Sequence, residues 1–243
     1  MPHAVARLRD QRLARSLKPF LARGARVERC PRCRVSRAYC VCAWQPRISS
    51  QAGVCLLMHD TEPLKPSNTG WLIADIIPDT WAFGWQRTET DPQLLALLKD
   101  PRWQPLVVFP GEYAAPERVI SHVSLPSGKR PLFILLDATW TEARKIFRKS
   151  PYLDGFPVLS IQPEQLSRYR LRRSTREEHL CTAEVAAVCL ELAQEPETAQ
   201  ALNLWLDAFT QHYLAAKQNQ RVDTSDLLHY QLSQYSAARP KAP

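Results

Sequence analysis

The feature of this sequence that most restricts its fold is a set of short apolar runs, each bounded by polar or proline-rich segments. Four such runs lie at 54–58, 106–109, 132–136 and 158–161. Their apolar character is continuous rather than alternating, which is typical of strands that are covered on both faces. The pattern therefore predicts an α/β layer fold, in which ligands bind at the carboxyl ends of the strands.

Helical patterns lie between and after these predicted strands. Thr139 and Glu142 have the spacing of a capping box, which predicts a helix that starts just after Asp137 and continues through 143–149. Further along, 182–192 is apolar nearly all round, as in a buried helix.

The C-terminal part of the chain changes character near residue 219. An amphipathic stripe at 202–213 predicts a helix with one buried face. Beyond it the periodicity is lost, and we expect a frayed tail over 219–243.

Composition argues against a disordered or membrane-spanning chain. Hydrophobic residues make up 45% of the 243 positions, which is enough to bury a core. No stretch approaches 18 uninterrupted apolar residues, and the N-terminus lacks the pattern of a signal peptide. We therefore expect a cytoplasmic protein with no membrane partner. In that reducing compartment, seven cysteines are not expected to form structural disulfides.

Positive charge is concentrated at the N-terminal end. Residues 1–47 contain twelve Arg or Lys and two acidic residues, a net charge of +10, whereas the whole chain carries +8. Such a segment suits a polyanion such as nucleic acid, because it neutralises phosphates and releases counterions. The alternative is a solvated tail. Residues 1–29 alternate arginine with apolar residues, which fits either a basic helix or a disordered arm.

Four cysteines within thirteen residues predict a metal site. Four thiolates can surround a tetrahedral zinc ion at about 2.3 Å and leave no open position, so the site would be structural. A redox Cys-x-x-Cys pair and coincidence are the competing interpretations. The predicted ligands are Cys30, Cys33, Cys40 and Cys42.

Arginines form two candidate RNA-binding groups. One surrounds the cysteines, and the other interleaves five arginines with a tyrosine over 167–176. Arginine can hold phosphates while tyrosine stacks on an unpaired base, although a solvated loop would have the same composition. The predicted RNA-binding residues are Arg32, Arg34, Arg37, Arg144, Arg168, Tyr169, Arg170, Arg172 and Arg173.

Asp137 should emerge at the carboxyl end of a buried strand. A partly buried carboxylate there can act as a general base, or it can merely cap the helix or pin a loop. Polar clusters at 59–70, 109–111 and 180–184 follow other predicted strands or open a helix, and converging loops of this kind form small-molecule pockets. The sequence contains neither Gly-x-Gly-x-x-Gly nor Gly-x-x-x-x-Gly-Lys-Ser/Thr, so a common phosphate-binding loop is unsupported.

Taken together, these residues resemble the DTW-domain family, whose motif Asp-x-Thr-Trp stands here as Asp137-Ala138-Thr139-Trp140. Within that family the chain resembles the bacterial tRNA-uridine aminocarboxypropyltransferases. The resemblance extends from about 30 to about 193. It covers the four cysteines and the segments 59–70, 109–111, 167–173 and 180–184.

The resemblance implies a SPOUT-like α/β core with a knotted cofactor-binding region. It also implies transfer of the 3-amino-3-carboxypropyl group from S-adenosylmethionine to N3 of a uridine in tRNA, with release of methylthioadenosine. Asp137, Thr139 and Trp140 would be the catalytic residues. The implied cofactor-binding residues are His59, Glu62, Asn68, Thr69, Phe109, Pro110, Gly111, Leu180, Cys181 and Thr182.

Two other functions stay open at this point. One is an S-adenosylmethionine-dependent RNA methyltransferase, and the other is a non-enzymatic, zinc-dependent RNA-binding protein. The expected organisation has a basic N-terminal arm (1–29), a zinc-binding segment (30–47), a DTW catalytic domain (48–218) and a C-terminal tail (219–243). We expect a monomer that binds tRNA.

Overall fold

The computed structural model describes residues 2–17, 27–161 and 180–237. In these ranges, seven α-helices accompany a six-stranded sheet. The strands are β1 (Gly53–Met58), β2 (Thr80–Gly84), β3 (Trp103–Val108), β4 (Val119–Ile120), β5 (Arg130–Asp137) and β6 (Val158–Leu159). The helices are α1 (Ala4–Ala14), α2 (Gly70–Ile76), α3 (Pro92–Lys99), α4 (Trp140–Arg148), α5 (Thr182–Leu192), α6 (Pro196–Gln218) and α7 (Leu227–Ala237).

All the strand pairs of the sheet are parallel, in the order β2-β1-β5-β3-β6-β4. Strand β5 lies between β1 and β3, and its register places Asp137 beside Met58. The backbone N–H of His59 donates a hydrogen bond to the carbonyl of Asp137 at 3.0 Å. The carboxyl ends of the strands therefore share one edge of the sheet, which we call the carboxyl edge, and the loops that follow them meet there.

Both faces of the sheet are covered. On β1, Val54, Leu56 and Met58 point into a core formed with α2, α5 and α6. Cys55 and Leu57 point into a second core formed with α3 and α4. Each of these side chains is at most 1% exposed. The α/β layer fold predicted from the continuous apolar runs is confirmed, and it has three layers.

The four strands predicted from apolar runs are confirmed as β1, β3, β5 and β6, although β6 is shorter than its run. The sequence does not predict β2 or β4, which lie at the two edges of the sheet. An edge strand is covered less completely, so the continuous apolar pattern is weaker there. In β2, Trp81 and Ala82 are only half-buried, and β4 has just two residues.

The helices predicted after Asp137 and in the C-terminal half are confirmed as α4, α5 and α6. The amphipathic stripe of α6 buries Leu202, Trp205 and Phe209, each at most 1% exposed. In the parts of the chain that the structure describes, no helix is both long and apolar enough to cross a bilayer.

The expectation of a frayed tail after 219 is wrong for 227–237, which form α7. This helix packs against α6 and buries Leu232 and His229. The His229 ring contacts Nε2 of His212 at 2.9 Å and Asp226 at 2.5 Å. Polar contacts thus hold α7 in place, and such contacts produce no hydrophobic periodicity in the sequence.

The N-terminal segment is helical in its described part. Helix α1 buries Val5 completely and packs against β2 and the turn Glu62–Leu64. Arg12 donates two hydrogen bonds to the Asp60 carboxylate, at 2.6 and 2.7 Å. Of the two alternatives for residues 1–29, the basic helix is correct for Ala4–Ala14. Residues 18–26 lie outside the described ranges.

The knot implied by the resemblance stays a prediction. Residues 162–179, which connect β6 to α5, lie outside the described part of the chain.

Candidate functional site

Asp137 lies at the carboxyl edge, where three segments of the chain meet. Its side chain is 1% exposed, and both of its carboxylate oxygens accept hydrogen bonds. Asn68 donates from Nδ2 to Oδ2 at 2.7 Å, and Thr182 donates from Oγ1 to Oδ1 at 2.7 Å. One carboxylate therefore joins the loop after β1, the end of β5 and the start of α5. We call this arrangement the Asp137 junction.

The loop after β1 fits closely against the Asp137 junction. Asn68 Oδ1 accepts a hydrogen bond from the backbone N–H of Trp71 at 3.1 Å, so this amide connects Asp137 to the first turn of α2. Gly70 begins α2, and a Cβ atom at this position would lie 2.6 Å from Asp137 Oδ2. A larger residue would displace the carboxylate, so the close approach requires glycine.

Two further residues of the predicted cofactor group hold this loop in place. Thr69 is 2% exposed, and its Oγ1 accepts a hydrogen bond from the N–H of Ala183 at 3.3 Å. This contact is a second link between the loop and α5. Glu62 is fully buried and forms an ion pair with Lys65.

The start of α4 lies next to the loop after β1. Glu142 accepts hydrogen bonds from the backbone N–H and the hydroxyl of Thr139, at 2.9 and 2.6 Å, which confirms the capping box. Burial would raise the pKa of Glu142, but these hydrogen bonds, with His59 and Lys65 nearby, outweigh burial and hold the pKa below its usual value.

His59 lies at the carboxyl edge beside the start of α4. Its Nδ1 is buried and lies 3.3 Å from Glu142 Oε1, although not in hydrogen-bonding geometry. The side chain as a whole is 29% exposed, so a bound molecule can reach another part of the ring.

Four aromatic rings pack where β3 ends and α4 begins. Trp140 stacks on Phe109 with ring centroids 5.5 Å apart, and Phe109 stacks on Phe147 at 4.5 Å. Tyr113 contacts both Phe109 and Trp140 edge-on, at 5.4 and 5.9 Å. Trp140 is 37% exposed, so the motif presents aromatic surface at the carboxyl edge.

The remaining predicted cofactor residues lie in the loop after β3 and at the start of α5. The N–H of Gly111 donates to Ser160 Oγ at 3.0 Å, which ties the loop after β3 to the end of β6. The N–H of Cys181 donates to Glu184 at 2.7 Å, and burial raises the pKa of the Cys181 thiol. Phe109 is buried, and the half-buried members of these segments are Pro110, Gly111, Leu180, Cys181 and Thr182.

Sequence reasoning does not identify Tyr113 and Phe147 as neighbours of the site. A signal exists for Phe147, which lies seven residues after Trp140 and so falls on the same face of α4, two turns away. Tyr113 belongs to the short turn Gly111–Tyr113, and only the packing of that turn against α4 places its ring beside Trp140.

The four N-terminal cysteines form a compact cluster. Their sulfur atoms all lie within 4.8 Å of one another, with Sγ–Sγ distances of 3.6, 3.7 and 3.8 Å for three of the pairs. Ligands at about 2.3 Å from a tetrahedral ion lie roughly 3.8 Å apart. The cysteines therefore have the spacing of a four-thiolate site and could bind a metal ion. The members of the cluster are Cys30, Cys33, Cys40 and Cys42.

Ionisation within this cluster is uneven. A hydrogen bond with Cys42 lowers the pKa of Cys33 to about 5. The same interaction raises the pKa of Cys42, and burial raises the pKa of Cys40. One thiolate is thus favoured, while full ionisation requires a cation among the sulfurs.

The cysteine segment packs on α2. The Trp71 indole N–H donates to the carbonyl of Arg32 at 2.7 Å, and the Arg34 guanidinium lies 5.7 Å from the centre of the same ring system. The backbone N–H of Trp71 is bound to Asn68 in the Asp137 junction. One tryptophan therefore connects the two clusters.

The predicted RNA-binding arginines fall into three groups. Arg32, Arg34 and Arg37 lie in the cysteine segment, where Arg37 pairs with Glu28 at 3.0 Å. Arg144 lies on α4, with its guanidinium 6.0 Å from the Trp140 ring. The predicted residues within 168–173 lie outside the described ranges.

Comparison with known proteins gives a consistent set of relatives. The chain is 26% identical over 189 residues to tRNA-uridine aminocarboxypropyltransferase 2 of Drosophila melanogaster, covering 73% of this chain and 71% of that protein. It is 25% identical to the proteins of the same name from Macaca fascicularis and Mus musculus, covering 68% and 70% of this chain. The matches span only 56% and 58% of those two proteins.

These relatives are animal proteins, so the expected bacterial subgroup stays a prediction. No solved structure matches the chain significantly. The profile of the DTW domain matches residues 27–214, which include both the cysteine cluster and the Asp137 junction. Because this match covers well over half of its length, the chain belongs to the DTW-domain family.

Proposed function

We propose that this protein transfers the 3-amino-3-carboxypropyl group of S-adenosylmethionine to N3 of a uridine in tRNA and releases methylthioadenosine. The names of the relatives support a tRNA-modifying transferase. The observation that carries the proposal is the Asp137 junction, which gathers three loop or helix ends of the family domain at the carboxyl edge. In open parallel sheets that edge is where ligands bind.

The donor supplies a sulfonium that activates three carbons for attack. Methyl transfer is sterically the easiest, so the protein has to orient the methionine γ-carbon toward uracil N3, and positioning is most of the catalysis. We assign donor binding to the loop after β1 (His59, Glu62, Asn68 and Thr69), to Phe109–Gly111 and to Leu180–Thr182. The side chain of His59 fits this role, because it is 29% exposed at the carboxyl edge and can offer a polar contact to a bound molecule.

Trp140 and Thr139 would serve the acceptor side of the reaction. Trp140 is stacked on Phe109 yet 37% exposed, so it has ring surface on which a base can stack. Thr139 caps α4 and, with Glu142, fixes where that ring lies.

Asp137 would accept the N3 proton or orient the uracil edge. Both of its oxygens already accept hydrogen bonds, and the side chain is 1% exposed. A carboxylate offers about four lone-pair sites, so accepting a proton does not by itself require Asn68 or Thr182 to give up its contact. In the alternative role, Asp137 acts through these two residues, as a positioning residue.

The cysteine cluster fits a structural zinc ion, since its sulfur spacing matches a closed tetrahedral site. We propose that the metal orders the segment that carries Arg32, Arg34 and Arg37, and that these arginines contact tRNA phosphates. Arg144 and the group Arg168, Tyr169, Arg170, Arg172 and Arg173 would extend this contact.

The direct test incubates the protein with S-adenosylmethionine and unmodified tRNA, followed by mass analysis of nucleosides and by-product. A uridine carrying the aminocarboxypropyl group, with methylthioadenosine, is the expected result. A methylated nucleoside with S-adenosylhomocysteine would identify a methyltransferase instead. If the RNA-free protein binds no S-adenosylmethionine and the tRNA is unchanged, the non-enzymatic RNA-binding function replaces both.

A further inference from the structure

A groove of about 600 Å³ lies beside α4, outside the Asp137 junction. One wall is the segment that begins at Tyr113, and the other is the end of α4, with Phe147, Arg148 and Lys149. Asp154 also lines it. The volume lies in the range of small-molecule sites.

The groove carries uncompensated positive charge. Arg148 and Lys149 are exposed, and neither forms an ion pair with any of the described residues. Arg118 is engaged differently: it donates to the carbonyls of Phe156 and Leu153, at 3.0 and 2.8 Å, and its guanidinium lies 3.8 Å from Asp154. These contacts of Arg118 hold the wall of the groove in place, while Arg148 and Lys149 are available to bind an anion.

The aromatic side of the groove is continuous with the family motif. Tyr113 and Phe147 both contact Phe109, whose ring stacks on Trp140. Tyr113 also touches Trp140 directly, at 5.9 Å between centroids. The groove therefore begins one ring away from the exposed tryptophan of the Asp-x-Thr-Trp motif.

The groove combines an aromatic ring with two available cations, which is the combination that single-stranded nucleic acid requires. The helix dipole favours cations at the end of α4, but it does not account for the cavity or for the half-buried Tyr113 ring that lines it. A sulfonium-bearing donor is a poor occupant, because the cations of the lining outnumber its one acidic residue.

We propose that this groove holds the nucleotide next to the modified uridine in the tRNA strand, with its base against Tyr113 and its phosphate on Arg148 and Lys149. The inference rests on the proposed function, since it names a further part of the same substrate. It assigns a second nucleotide site to residues beyond the motif.

The first test measures tRNA binding against salt concentration for the double variant Arg148→Ala/Lys149→Ala. Loss of the contact to this phosphate should reduce the slope of log K against log salt by roughly 0.7, the contribution of one neutralised phosphate on a single strand. The matched control is Lys99→Ala/Lys129→Ala, which removes two cations near the amino ends of the strands, on the side of the sheet opposite the carboxyl edge. A slope equal to that of the control would overturn the assignment.

The second test places photoreactive p-benzoylphenylalanine at position 113 and irradiates the protein with unmodified tRNA. The expected result is a crosslink to a nucleotide flanking the modified uridine, undiminished by excess S-adenosylmethionine. A crosslink that S-adenosylmethionine abolishes, or the absence of any crosslink to RNA, would contradict the proposal. Product analysis of the wild-type protein reports on the proposed function alone, whereas salt dependence and crosslinking need no turnover, so the two failures are distinguishable.

Discussion

The cysteine cluster and the Asp137 junction are both places where polar groups converge in the interior, but they are completed in opposite ways. At the junction, each oxygen of Asp137 has its own donor, in Asn68 and Thr182. In the cysteine cluster, four thiols face one another, and full ionisation needs a cation. The protein's own side chains therefore set the geometry at the carboxyl edge, whereas the cysteine segment depends on what it binds.

Trp71 makes the two regions interdependent. Its indole N–H holds the carbonyl of Arg32, and its backbone N–H holds Asn68. A substitution in one region should therefore affect the other, and the size of that effect measures how strongly the two regions are coupled.

The largest effect is expected from Cys33→Ser. Removing one ligand should abolish binding of one metal ion per chain and cost several kcal/mol of unfolding free energy, because metal-binding energy at such sites is folding energy. Metal analysis and denaturant unfolding measure both quantities. The control is Cys189→Ser, a buried thiol outside the cluster, which should keep the metal. Unchanged zinc content in Cys33→Ser would remove the cluster as a metal site.

Asp137→Asn tests whether the junction is only a scaffold. Turnover should fall by roughly 10²–10⁴, the range for loss of a general base. The introduced amide can offer its oxygen to Asn68 Nδ2 only if its nitrogen faces Thr182, whose hydroxyl must then accept instead of donate. This weaker arrangement should cost up to about 1–3 kcal/mol of unfolding free energy. Initial rates, S-adenosylmethionine affinity and unfolding free energy separate these contributions.

The exchanged pair Asp137→Asn/Asn68→Asp resolves the role further. It lets the amide at position 137 donate to a carboxylate while Thr182 donates to the amide oxygen, and the carboxylate introduced at position 68 would still accept from the Trp71 N–H. The free energy of unfolding and the affinity for S-adenosylmethionine should recover. Turnover should stay low, because the carboxylate has moved. Recovery of turnover as well would make Asp137 a positioning residue.

The pH dependence of stability tests whether His3 must be neutral for α1 to pack against Trp71. Its ring packs edge-on against Trp71 at 4.4 Å, and burial lowers its pKa from 6.5 to about 4. As the pH falls below 6.5, His3 becomes protonated in the unfolded chain but stays neutral in the folded protein. The free energy of unfolding therefore decreases between about pH 6.5 and 4. The loss is at most about 3 kcal/mol.

His3→Asn should abolish that loss, since asparagine can cap α1 without titrating. Unfolding free energies at about pH 7 and about pH 4.5 for both proteins measure the difference, because these values bracket most of the titration. Asp75, whose pKa burial raises to about 8, is present in both proteins, but its Oδ1 lies 3.6 Å from His3 Nε2, so the difference includes any change in the titration of Asp75. Equal pH dependence in the two proteins would show that α1 does not rely on a neutral His3.

The smallest effect is expected from Trp71→Phe, which removes one hydrogen bond worth about 0.5–1.5 kcal/mol. Metal affinity and turnover should both fall by a few-fold, because the ring connects both clusters. Trp103→Phe is the matched control, since this buried indole N–H has no partner in the described residues. A change in metal affinity with unaltered turnover would show that the two regions are independent.

Much of the framework follows from the local pattern. The four apolar runs predict the inner strands, because both faces of a central parallel strand are buried. The capping box at Thr139 predicts the start of α4 for an equally local reason. Helix α7 is missed because a histidine network and a single buried leucine anchor it, and these leave no periodic signal.

The inner strands, the start of α4 and the cysteine cluster can be predicted from local sequence, because the residues that form each of them lie within about a dozen positions. Asn68 and Thr182 lie 69 and 45 positions from Asp137, so their shared contact with its carboxylate is known only from the folded chain. The same holds for Trp71 between the two clusters and for Tyr113 beside Trp140. Contacts of this kind depend on strand order and on how loops and helices pack at one edge, and no local spacing encodes that order.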